Sequence, residues 1–212
     1  MPGHEHPETP LIVPLEDTHD ARHFIELSSI AADLADARRA AEHALVAGDD
    51  SFLAEVRATL IGYATVAYCR TIPHSNVRRP LTYFVELTEQ EQRISDLVKG
   101  FRNTTVAHSQ SELWTTHAVG VLDPRTLQVQ DVLATAVTIT LARSLVEEFV
   151  LLLTAVEERL EAVIAPVRDR LRSKLAATDP DELRRRVAAG LPVEDRPVAE
   201  FDPRSQRRRR RP

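Results

Sequence analysis

Apolar residues recur every three or four positions along most of this 212-residue chain, and this spacing constrains the fold more than any other feature. A repeat of that length places the apolar side chains on one face of an α-helix. The chain has only 6 glycines, which suits long helices. The longest periodic segment runs from Asp131 to about Leu175, and we expect Pro166 to kink or split it. The pattern predicts an all-α fold, a helical bundle of four to six helices.

Helix boundaries are marked by capping residues. Asp17-Thr18 is expected to open the first helix and Gly48 to end it. Thr88 and Glu91 stand at the spacing of a capping box, in which each side chain bonds to a free backbone N–H of the helix start. Apolar residues follow at helical spacing and predict one buried stripe: Ile94, Leu97, Val98 and Phe101. Asp179-Pro180 predicts the start of a last helix, which should end at Gly190.

A short β-hairpin is predicted after this capped helix. Val119–Leu122 and Leu127–Val129 are predicted to form two short strands on either side of Asp123–Thr126, where proline suits a type I turn. An isolated hairpin is only marginally stable in water, so we expect this one to pack on the helices.

Composition divides the chain into three parts. Residues 1–16 are expected to form a disordered arm, residues 17–190 the helical domain and residues 191–212 a disordered tail. The tail carries Arg204 and Arg207 to Arg211, so the rest of the chain is more acidic than the overall formal charge of −5. Cys69 is the single cysteine, which excludes an internal disulfide. No signal-peptide pattern or membrane-spanning run is apparent, so we predict a cytoplasmic protein without a membrane partner.

The segment that ends the capped helix holds the main candidate chemistry. Arg102 can bind a phosphate oxygen with two hydrogen bonds, and His108 can exchange a proton near neutral pH. On one continuous α-helix, six residues of advance would place His108 about 120° around the axis from Arg102. The two side chains meet only if the helix breaks between them or if two copies of the chain complete a shared site. Asn103 and the β-branched residues after it weaken the helix there.

Arg102-Asn103 followed by Ala107-His108-Ser109 resembles the signature of the HEPN superfamily, the higher eukaryote and prokaryote nucleotide-binding domains. The resemblance implies an all-helical domain that forms a homodimer with facing motifs. It also implies a metal-independent endoribonuclease, with His108 as general acid or base, Arg102 stabilising phosphate charge and Asn103 assisting. Such enzymes serve as toxins or in phage defence, so an antitoxin or a nucleotidyltransferase is an expected partner beside RNA.

A looser resemblance concerns basic residues before the motif helix. Arg70, Arg78 and Arg79 occur in the order that some HEPN relatives show, which implies that they bind the RNA substrate; surface arginines in a linker are the alternative. No cofactor is expected: the chain lacks a glycine-rich phosphate loop and the spacing of a zinc protease. Glu147-Glu148 and Glu157-Glu158 lack a histidine partner, so we interpret them as a solvated helix face rather than metal ligands.

Two other functions fit the same residues. In the first, the chain is a non-catalytic helical interaction module, and Arg102 and His108 hydrogen-bond across a dimer interface. The acidic body and the scarcity of aromatic residues for base stacking favour this alternative. In the second, the arginine-rich tail binds nucleic acid by neutralising phosphates.

Overall fold

The computed structural model describes residues 10–47, 52–73, 78–106, 114–138 and 140–190. These residues form a mainly helical fold with one two-stranded antiparallel hairpin. The elements in chain order are α1 (His19–Val46), α2 (Phe52–Cys69), a 3-10 helix (Leu81–Tyr83), α3 (Glu89–Phe101), a π-helical segment (Arg102–Val106), β1 (Trp114–Leu122), β2 (Val129–Thr138), α4 (Arg143–Ala176) and α5 (Pro180–Ala189). None of the helices in this part of the chain is both long and apolar enough to cross a membrane.

The described residues group into two compact units. Among these residues, one unit joins residues 10–25 to residues 164–190, and the other comprises those between 26 and 163. The boundary passes through α1 and α4, so each of these helices contributes to both units.

The larger unit is built around apolar side chains from α1 to α4. α1 buries the face that its spacing predicts, with Leu27, Ile30 and Leu34 fully inaccessible to solvent. The ring of Tyr68 on α2 meets Phe149 on α4 edge-to-face, with ring centroids 5.3 Å apart. Edge-to-face contacts of this kind bring the positive ring edge to the negative ring face. This core holds α2 and α4 together and gives α3 a surface against which its own buried residues pack.

α3 begins as predicted but buries a slightly different face. Thr88 Oγ1 accepts a hydrogen bond from the Glu91 N–H at 3.3 Å, and the Glu91 carboxylate accepts one from the Thr88 N–H at 2.8 Å, so the capping box is present. Ile94 and Val98 are buried. Leu97 is 52% exposed, so its assignment to the buried stripe was wrong. Ser95 is buried instead of Leu97. Its burial is tolerated because its hydroxyl has a hydrogen-bond partner in the core.

The expected start of α4 was also wrong. Residues 131–138 belong to β2, and the helix begins at Arg143 rather than near Asp131. Val132, Thr135 and Val137 are β-branched, and such residues favour strands even where apolar residues recur. Pro166 does not split α4, which runs without interruption from Arg143 to Ala176.

The hairpin is longer than predicted, and its described side chains are not buried on the helices. β1 and β2 pair over Trp114 to Leu122 and Val129 to Thr138, with a bulge near the turn. Asp123 Oδ1 accepts hydrogen bonds from the backbone N–H groups of Arg125 and Thr126, which fixes the predicted turn. Val129 and Val132 are 69% and 67% exposed. The expected packing of this hairpin is therefore not observed for these residues.

Ion pairs hold the smaller unit together. Asp179 caps α5 as predicted, accepting hydrogen bonds from the N–H groups of Asp181 and Glu182, and Gly190 follows the helix with a φ of 69°. Glu16, at the end of the predicted arm, pairs with Lys174 at 2.7 Å and with Arg186 at 2.6 Å. Glu16 therefore has defined partners on α4 and α5.

Candidate functional site

The candidate site is built on the carboxyl end of α3, a helix that is fixed at its start and in its middle. At the start, Glu91 of the capping box also accepts a hydrogen bond from Arg159 Nη2 of α4 at 2.6 Å. Burial acts to raise the pKa of Glu91, but the hydrogen bonds from Arg159 and Thr88 outweigh burial and the pKa lies below its usual value. Glu91 therefore stays ionised at neutral pH and ties α3 to α4.

The middle of α3 is held by a buried pair of hydroxyl groups. Tyr68 Oη donates a hydrogen bond to Ser95 Oγ at 2.8 Å. Burial raises the pKa of Tyr68 to about 12, so the phenol keeps its proton at every physiological pH. The pair fixes α3 in rotation relative to α2 and so determines where the end of α3 presents its side chains.

Past Phe101 the helix widens into the π-helical segment Arg102–Val106. Thr104 Oγ1 donates hydrogen bonds to the carbonyl oxygens of Gly100 at 2.9 Å and Phe101 at 3.3 Å. A threonine hydroxyl that bonds back to the preceding turn competes with the backbone ladder and often bends a helix. The predicted weakness after Arg102 is thus present, and it takes the form of a π-helical turn, a feature found frequently at functional sites.

Arg102 and Asn103 are both exposed on this segment. Arg102 Nη1 donates a hydrogen bond to Asn103 Oδ1 at 3.1 Å. An amide oxygen carries no net charge, so this contact does not offset the positive charge of the guanidinium. The remaining N–H donors of Arg102 can reach a ligand. Within the described ranges, Arg102 forms no ion pair with a carboxylate, whereas most of the other arginines there do.

Cys69, at the end of α2, lies near the same segment. Burial raises the pKa of the Cys69 thiol, and the positive charges of Arg102 and Lys99 act in the opposite direction without overcoming it. The thiol therefore stays protonated at neutral pH, which suits a packing residue and not a nucleophile.

His108, the proposed acid or base, lies outside the described residues, as does Ala107. The arginines of the predicted tail also lie outside them. The structure consequently brings together Arg102 and Asn103 and leaves the Arg102–His108 pairing a prediction.

The basic residues expected to bind RNA contact acidic residues of α1. Arg78 Nη2 binds Asp33, and Arg78 Nη1 donates to Ser29 Oγ at 2.9 Å. Arg70 Nη1 lies 3.5 Å from Asp33, while Arg78 Nη2 donates to the Arg70 carbonyl oxygen at 2.9 Å. Arg70 and Arg78 therefore form one cluster around Asp33, separate from the contacts that Arg102 makes. Of these two, Arg70 has the more exposed side chain, 52% against 13%.

Arg79 is held more tightly. Its Nη2 donates to Glu26 at 2.6 Å, and its guanidinium carbon lies 4.5 Å and 4.8 Å from the ring centroids of Tyr83 and Phe84. Hydrogen bonds to Glu26 raise the pKa of Arg79 above its usual value. This arrangement stabilises the linker before α3, and the Glu26 charge offsets that of Arg79.

The sequence carries no signal for Ser95 or Arg159, which hold α3, and Thr104 was expected only to weaken the helix as a β-branched residue. Their partners lie 27, 68 and four positions away, respectively. Only the Thr104 contact is local enough to have been inferred from spacing. In the described part of the chain, no three His, Cys, Asp or Glu residues cluster as metal ligands would.

Comparison of the chain with known proteins gave no relative: no family model, no curated protein and no solved structure matches it. The evidence for a function of this site therefore comes from its own residues.

Proposed function

We propose that this chain is a metal-independent endoribonuclease of the HEPN type, acting through Arg102, Asn103 and His108. The observation that carries the proposal is the state of Arg102: an exposed guanidinium on a π-helical turn that bonds to an amide and, among the described residues, to no carboxylate. A guanidinium in this state can bind a phosphate without first losing an internal ion pair.

The proposed reaction uses the ribose 2′-hydroxyl as nucleophile. His108 removes the 2′-proton as the 2′-oxygen bonds to phosphorus, and a protonated acid, His108 of either copy or water, gives a proton to the departing 5′-oxygen. The products are a 2′,3′-cyclic phosphate and a free 5′-hydroxyl. Arg102 stabilises the negative charge that grows on the phosphoryl oxygens, an interaction stronger in the transition state than in bound RNA.

Asn103 has a positioning role in this proposal. Its side-chain oxygen accepts from Arg102, which limits the orientations that the guanidinium can adopt. Arg70 is the best placed of the other candidate RNA contacts, because its side chain is half exposed. Arg78 and Arg79 contact carboxylates of α1 more closely than Arg70 does, so we expect a smaller contribution from them.

Product analysis of RNA incubated with the purified chain tests this proposal. With a chelator present, wild-type protein should produce 2′,3′-cyclic phosphate ends, and an oligonucleotide of the same sequence with 2′-deoxyribose should stay intact. His108→Ala should slow cleavage by roughly 10²–10⁴-fold, the usual contribution of proton transfer. Intact RNA, or cleavage that persists in His108→Ala, would refute the proposal.

A second candidate is the non-catalytic interaction module, and the exposed apolar hairpin favours it. In that case Arg102 and His108 hold an interface together. Arg102→Ala would then weaken self-association and leave no cleavage activity to lose. The ribonuclease proposal expects the reverse, an unchanged assembly with lost cleavage.

A further inference from the structure

The β1–β2 hairpin presents a large exposed apolar surface. Its strands have nine and ten residues and pair only with each other in the described structure. Several large apolar side chains on it are well exposed: Val119, Leu122, Val129, Val132 and Leu133. A hairpin of two strands is marginal in water, and a sheet generally needs three or more strands for stability of its own. We therefore expect a further strand to pair with this sheet.

The two free edges of the hairpin differ. Natural proteins protect an edge strand with lysine, proline, inward charges or a bulge. Residues 114–122 and 129–138 contain no Lys, Arg, Glu or Pro. Near the turn, Val121 pairs with Asp131 and Leu122 with Val129, so Gln130 of β2 is the extra residue of a bulge. β2 thus carries a bulge and the acidic Asp131, whereas β1 has neither. Within the described ranges, the edge of β1 is the one open to pairing.

β1 is also compatible with itself. Two antiparallel copies related by a two-fold axis can pair along all nine residues when the axis passes Ala118. In that register His117 lies opposite Val119 of the other copy, so the two histidines do not face each other, and the residue at the axis is small. A two-fold β1–β1 contact stops at two copies, with the bulged β2 strands at the outer edges, whereas pairing β1 of one copy with β2 of another would repeat head to tail and extend without limit.

We propose that two copies of this chain associate through their β1 strands and form one continuous four-stranded antiparallel sheet, β2–β1–β1–β2. The occupant of the free edge is therefore a second copy of the same chain. Four strands meet the requirement that two do not, since each copy supplies the missing partner of the other. The inference uses the hairpin alone and does not depend on ribonuclease activity.

Charge placed at the axis tests the assembly. Ala118→Lys puts two ammonium groups opposite each other and should weaken dimerisation at least about tenfold, measured by sedimentation velocity over a concentration series. Ala134→Lys is the matched control, because Ala134 pairs with Ala118 but belongs to β2. It should leave the dimer intact. A mixture of Ala118→Lys with Ala118→Glu should restore association, which also shows that both variants fold.

Cross-linking tests the register. In a Cys69→Ser background, Ala118→Cys should form a disulfide between copies under mild oxidation, since directly opposed residues of paired strands have Cβ atoms about 4.5–5.5 Å apart. Ala134→Cys should not, because three strand spacings, roughly 14 Å, would separate the two thiols. A monomeric wild-type protein, a dimer indifferent to Ala118→Lys, or cross-linking at 134 in preference to 118 would each overturn the proposal.

Discussion

The hydroxyl of Tyr68 lies inside the core of the larger unit, and Ser95 is its hydrogen-bond acceptor. Neither residue attracts notice in the sequence, because a tyrosine at a helical position and a serine in an amphipathic helix are both ordinary. Their partnership spans 27 positions, and spacing along one helix cannot reveal it. By contrast, Arg102 and Asn103 were identified as candidates from the sequence, since their chemistry is carried by the residues themselves.

Tyr68→Phe tests the buried pair. The substitution keeps the ring against Phe149 but leaves the Ser95 hydroxyl without its donor, so the free energy of unfolding should fall by about 1 kcal/mol. Denaturant unfolding measures it. Adding Ser95→Ala to Tyr68→Phe should cost little more than Tyr68→Phe alone. Equal, additive losses from the two changes would show that the hydroxyl groups do not interact.

Helices with strong end signals are the elements that the sequence predicts best. Thr88 and Asp179 have side chains that satisfy free N–H groups of a helix start, and both caps are present where their spacing places them. The boundary before α4 was predicted poorly. Apolar residues run through both β2 and α4, so periodicity continues across the boundary while the structure changes from strand to helix. The sequence predicted that the helix weakens after Arg102, but it did not predict the π-helical form of Arg102–Val106.

Removal of the α5 cap gives a prediction for one element. Asp179→Ala deprives the N–H groups of Asp181 and Glu182 of their acceptor and should destabilise α5 by about 1 kcal/mol. Hydrogen exchange of the α5 amides measures the effect, since a local opening raises exchange there before the whole protein unfolds. Asp179→Asn retains the cap and should exchange like wild type. Exchange unaffected by Asp179→Ala would show that the cap is dispensable.

At the scale of the whole molecule, the described residues group into two units. The sequence predicts one helical domain over residues 17–190, and α1 and α4 each contribute to both units. In the smaller unit, ion pairs bind residues close to the amino terminus to α4 and α5. Asp20 pairs with Arg170, and Glu16 with Lys174 and Arg186. These contacts join residues about 150 to 170 positions apart, so local sequence patterns do not reveal them.

The carboxylates of this unit predict how it responds to acid. The hydrogen bond from Lys174, then that from Arg186, lowers the pKa of Glu16 below its usual 4.5. A carboxylate with a lowered pKa stabilises the folded state above its ordinary pKa, and this stabilisation is lost as the pH falls through the lowered value. Carbon-13 NMR titration of the Glu16 side chain should therefore give a midpoint below 4.5. Lys174→Met should move that midpoint upward, and an unmoved midpoint would show that the ion pair does not form in solution.

The cleavage rate of Arg102→Ala, measured beside its thermal stability, tests the central claim most directly. Arg102 is exposed and holds no ion pair within the described residues, so the melting temperature should stay close to wild type while cleavage falls by roughly 10²–10³-fold. Arg125→Ala removes another exposed charge, from the hairpin turn, and should cleave RNA at the wild-type rate. Equal cleavage by Arg102→Ala and Arg125→Ala would contradict a catalytic role for Arg102.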